Sequence, residues 1–128
     1  MPSQNNSGNQ FDHLHTVTIV ATARVESNRF IAFDGTHATS AGAAKDTQGV
    51  TQHGADIGEG VTALTAYSGL VQCGEAIAQF AFVKPAADGS GKAIVGAADD
   101  NCGRALGATS AADQLVEVQI TTHVHPAA

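Results

Sequence analysis

The chain has no tryptophan, one tyrosine, five phenylalanines and one methionine, and charged residues make up only 14% of its 128 positions. Charge this sparse, with 43% hydrophobic residues, excludes a coiled coil and a strongly charged disordered chain. The six basic residues, Arg24, Arg29, Lys45, Lys84, Lys92 and Arg104, are scattered singly against twelve acidic ones, for a net charge of −6. No basic face can form from them, so no nucleic-acid partner is expected. Apolar runs nowhere approach the roughly 18 residues of a membrane span, and the opening MPSQNNSGNQ has neither a basic region nor an apolar stretch. The expectation is a soluble chain with no membrane partner and no signal peptide. The two cysteines, Cys73 and Cys102, are too few for a disulfide scaffold and lack C-x-x-C spacing; they read as reduced, buried thiols.

What is present is β-sheet punctuation. A length of 128 residues suits one domain with one core. We expect residues 1–12 to be a flexible arm, because Asn, Gln, Ser, Gly and Pro offer too little to bury, and residues 13–128 to be a single β domain. Thr16–Val25 alternates β-branched and small residues, a strand signal, and Arg29–Phe33 is a second strand ending in the turn pair Asp34-Gly35. Glu26-Ser27-Asn28 between them is short enough for a hairpin. Thr36–Lys45 is too rich in Ala, Gly and Ser to pack alone and reads as a loop. Gly49–Thr51, Val61–Tyr67 and Leu70–Cys73 continue as a meander of extended segments.

Gly74–Val83 mixes helix formers with Phe80, Phe82 and Val83, so a helical turn followed by a strand is one reading. Asp88-Gly89-Ser90-Gly91 then turns the chain into Lys92–Val95 as a hairpin. Cys102–Leu106 and Leu115–Ile120 close the pattern, the last with Leu115, Glu117 and Gln119 on one face and Val116, Val118 and Ile120 on the other. About eight short, mainly antiparallel strands without a helical period predict an all-β fold, a small β-barrel or β-sandwich. Its core is light in aromatic residues, so assembly is a natural source of added stability.

Two His-x-His motifs, His13-Leu14-His15 and His123-Val124-His125, bracket this region. Residues i and i+2 of a strand share a face, so pairing of the first and last strands would bring four imidazoles to one cation such as Zn²⁺. Without that pairing they are two exposed strand ends. No Gly-x-Ser-x-Gly, His-Glu-x-x-His or phosphate-loop motif occurs, so no catalytic residue is assigned and no enzyme is expected; a hydrolase stays open only because a missing motif is weak evidence. No cofactor is implied.

Three ordered segments resemble the capsid decoration, or cement, proteins of tailed bacteriophages. They are Arg29–Gly35 followed by Gly49-Val50; Gly69-Leu70-Val71 with Cys73–Ile77 and Asp88–Ala93; and Gly103-Arg104-Ala105-Leu106 through Ala111–Val118. The likeness spans about residues 16–121. It leaves out the histidine-bearing ends and the Asn/Gln-rich arm. It implies a β-tulip-like, non-enzymatic virion protein, made in the host cytoplasm, which sits as a homotrimer on the outer capsid surface between major capsid protein subunits. Contact candidates under that reading are Pro2, Ser3, Gln4, Asn5, Asn6, Asn9, Gln10 and Phe11 of the arm, with Thr36, His37, Thr39 and Lys45 of the loop. The alternatives are a metal- or small-ligand-binding β module built on His13, His15, His123 and His125, and a host-surface-binding module. One Tyr and no Trp argue against a stacking sugar site.

Overall fold

The computed structural model describes residues 15–126; the arm candidates Pro2–Phe11 and His13 lie outside them. Nine strands form among the described residues: β1 (Thr16–Val20), β2 (Phe30–Ala32), β3 (Thr47–Thr51), β4 (Gly60–Leu64), β5 (Ser68–Gln72), β6 (Phe82–Pro85), β7 (Ala93–Val95), β8 (Asn101–Ala105) and β9 (Leu115–Val124). They pair antiparallel in two sheets, β1-β4-β3-β2 and β5-β9-β8-β6-β7. The fold is thus all-β, as expected, and of the two architectures it is two sheets rather than a closed barrel.

Two apolar clusters hold it together. Phe30, Ala32 and Val50 of the first sheet meet Val71, Val83, Cys102, Val116 and Val118 of the second. On the other face of the first sheet, Ile19, Val25, Ile31, Val61 and Ala63 form a second cluster. Successive residues of β2 therefore serve different cores, which is why Phe30-Ile31-Ala32 is an uninterrupted apolar run buried throughout. Ile19 and Ile31 come from opposite edges of the sheet, so the sheet curls around this cluster; just past β1 and β2, Thr22 N–H donates to Gly35 O at 3.1 Å. Gly35 has φ +83, and a Cβ there would stand 2.4 Å from Val20 O, so both the turn and the closing contact require glycine.

The predicted hairpin over Glu26–Asn28 does not form. β1 pairs with β4, β2 pairs with β3, and the segment between crosses the curl, with Val25 buried and bridged to Ala55. The alternation beyond Val20 records burial of Ala21 and Val25, not a continuing strand. Nor does Gly74–Val83 hold a helical turn. Ile77 exchanges backbone hydrogen bonds with Thr109 (3.2 and 2.8 Å), a non-local pairing that overrides helix propensity.

The β6–β7 hairpin forms as read, with Val83 opposite Val95 and Pro85 opposite Ala93. β9 is longer than its apolar signal, running on through Thr121–Val124. Glu117, on the face opposite Val116, Val118 and Ile120, is buried as well; Ser68 Oγ donates to its Oε2 at 2.6 Å. Both cysteines are buried free thiols, and burial pushes the Cys102 thiol up to about 12.

Candidate functional site

The loop after β2 is tied at its stem by one carboxylate. Asp34 Oδ1 accepts from Thr36 N–H (3.1 Å) and Thr36 Oγ1 (2.6 Å), and Lys45 Nζ reaches Asp34 Oδ2 at 3.0 Å and Thr36 Oγ1 at 2.6 Å. Burial by itself would raise the Asp34 pKa, but the hydrogen bonds from Thr36 and Lys45 outweigh it and hold the carboxyl below its usual range. Thr39 N–H donates to Lys45 O at 3.2 Å, and Ser40 Oγ donates to Pro85 O of the second sheet at 3.1 Å. Thr36, Thr39 and Lys45 thus belong to a braced loop in which Ala41 is exposed.

His37 is engaged within the fold. Its Nε2 accepts from Glu26 N–H at 2.9 Å and its Nδ1 lies 3.0 Å from Gly89 O, so the neutral ring donating from Nδ1 satisfies both. Desolvation lowers its pKa, and nearby Arg29 adds to the effect.

The C-terminal histidines meet a residue to which sequence gave no role. Asp46, just before β3, places Oδ1 2.6 Å from His125 Nε2 and 3.7 Å from His123 Nδ1. The two imidazoles stack with centroids 4.5 Å apart. Thr47 N–H donates to His123 Nδ1 at 3.0 Å, while His123 Nε2 is buried and finds no hydrogen-bond partner among the described residues. Burial lowers the His123 pKa while Asp46 pulls it the other way, and Nδ1 accepts from Thr47 N–H. A cavity of about 420 Å³ opens beside this group, lined by Phe33, Thr47, Thr65, Thr122 and His123 among others.

Among the described residues, the first and last strands do not pair, and His13 lies outside the described residues. β1, which follows His15, lies in the first sheet, and β9, which carries His123, lies in the second. His15 is exposed, with its carbonyl accepting from Thr65 N–H at 3.0 Å. Asp46 could not have been found from spacing: it pairs with His125 across 79 positions, through a sheet-to-sheet contact with no local signature.

The model of the phage cement protein family matches residues 10–120, from ahead of β1 to past the middle of β9. The chain belongs to the phage cement protein family. As a cement protein it is a structural component associated with the phage capsid, at the virion surface. Among solved structures, the head fiber gp8.5 N base of bacteriophage phi29 shares the fold with a TM-score of 0.63 at 16% identity, covering 88% of this chain and 98% of that one. No curated protein sequence matches the chain.

Proposed function

We propose that this cement protein binds the outer face of an icosahedral head between major capsid protein subunits, as a homotrimer, and stabilises the shell. The observation that carries the reading is the family match across nearly the whole described fold. The likeness to a phage head-fiber base is in keeping with it. Two features supply the physics. Among the described residues β1 is an edge strand, paired with β4 on one side only, and residues 1–12 precede it in the chain, so arm and edge together are the candidates for strand addition to a capsid neighbour. The loop carrying Thr36, His37, Thr39 and Lys45 is braced, so little ordering entropy opposes its docking. Binding only to the intact shell lowers its free energy relative to the ruptured one, and a trimer multiplies modest contacts into avidity.

Co-sedimentation with capsids lacking the protein tests this. Full-length protein binds saturably, and a version without residues 1–12 binds more weakly. Failure of the full-length chain to bind such capsids overturns the reading. Trimer formation is read separately by sedimentation equilibrium.

A further inference from the structure

We propose that Asp46, His123 and His125 form a divalent transition-metal site of the Zn²⁺ class that clips the second sheet to the first. It involves no capsid partner and stands independently of the decoration reading. The donors are two imidazoles and one carboxylate, with ligand atoms all within 4.8 Å of one another. Borderline cations prefer this donor set, whereas Ca²⁺ and Mg²⁺ call for oxygen alone.

The spacing is close to what such an ion requires. Ligand bonds of about 2.0–2.2 Å in a tetrahedron place donor atoms roughly 3.3 Å apart. Asp46 Oδ1 to His123 Nδ1 is 3.7 Å, and Asp46 Oδ1 to His125 Nε2, now 2.6 Å, opens modestly when a metal replaces the proton between them. His123 is fixed by packing: its side chain is only 2% exposed, with Nδ1 held 3.7 Å from the Asp46 carboxylate. Thr47 N–H already occupies Nδ1, so binding there displaces one hydrogen bond, which moderates affinity. The adjoining cavity gives an entry path and room for a water as the remaining ligand.

The consequence is mechanical. Asp46 leads directly into β3 of the first sheet, whereas His123 lies in β9 of the second and His125 just beyond it. A metal held by all three joins the sheets at the end where β9 has outrun its partner β5, whose register ends at Gln119. An ion bound by the folded state alone raises stability by mass action.

Full-length protein, stripped with a chelator and dialysed, is titrated with Zn²⁺ by calorimetry and with Co²⁺ by visible absorption, and its thermal midpoint is read with and without Zn²⁺. Expected are one ion per chain, a tetrahedral-type Co²⁺ band and a raised midpoint. Asp46→Asn and His125→Ala, which alter partly exposed groups and leave the buried His123 ring in place, each weaken Zn²⁺ binding by at least about tenfold, taking the size of a lost ligand-shell partner as the minimum. His53→Ala, a loop histidine outside the cluster, leaves it unchanged. Absence of saturable binding, or equal affinity in the Asp46 and His125 variants, overturns the site. So does loss of affinity on replacing His13 and His15 with Asp46→Asn silent, because the cation would then rest on the arm.

Discussion

Arg29 grips Gln72 with two donors, Nη2 at 2.7 Å and Nε at 3.2 Å from the same Oε1, while its Nη1 donates to Ser90 O at 2.8 Å. One guanidinium thereby joins the chain ahead of β2 in the first sheet to the end of β5 and the β6–β7 turn in the second. Hydrogen bonds to a charged donor contribute about 1.5–3 kcal/mol, and a lysine cannot reproduce the fork. Arg29→Ala is expected to lower stability by about 2–3 kcal/mol and Arg29→Lys by about 1–2. Denaturant midpoints measure both, and a double-mutant cycle with Gln72→Ala isolates the pair; coupling under about 0.5 kcal/mol would show that the contact is not a brace.

Gly103 illustrates a constraint set by strand spacing rather than by turn geometry. It lies in β8 with no positive φ, yet a Cβ there would stand 2.4 Å from Gln119 O and 2.6 Å from Val118 Cγ1. Backbone cannot yield as a flexible side chain does, so Gly103→Ala is predicted to cost at least about 1–3 kcal/mol. Urea unfolding with an unchanged m value is the check; a loss below experimental error would mean that β8 and β9 shift apart freely.

His37 makes stability depend on pH. Its folded pKa is lowered, first by burial, so the unfolded chain binds a proton more readily than the folded one. The stabilisation is complete above the unfolded value, near 6.5, and is lost as the pH falls below it. Protonation also turns Nε2 into a donor facing Glu26 N–H, which breaks that hydrogen bond. Thermal midpoints between about pH 7 and pH 5 should therefore fall more steeply in the parent than in His37→Gln. Parallel slopes would remove His37 from the account.

The thiols offer a test of burial. Cys102 is held protonated with a pKa of about 12, and Cys73 is buried with Sγ directed at Ala111 O, 3.2 Å away. Thiolate is the reactive species, so neither cysteine should react with a disulfide reagent in the folded protein and both should react in denaturant. Rapid labelling of the native state would contradict the packing of the inter-sheet core.

Local chemistry made much of this protein legible before any fold was known. Period-two alternation marked the start of β1 and the first part of β9, and Asp88–Gly91 announced the β6–β7 hairpin. The ordered motifs around Arg29–Gly35 and Gly103–Val118 carried the family, because strand period and turn residues act over a few positions and are written in adjacent side chains.

Partnership was decided elsewhere. That β1 joins β4 and not β2, that Glu117 is buried beneath Ser68, that Ile77 bridges Thr109, and that His125 finds Asp46 all depend on contacts far apart in sequence. Such contacts exist only when the summed packing of two sheets outweighs the entropy of closing long loops. No single segment holds that sum, so the arrangement of strands, and the site at the end of β9, belong to the tertiary structure.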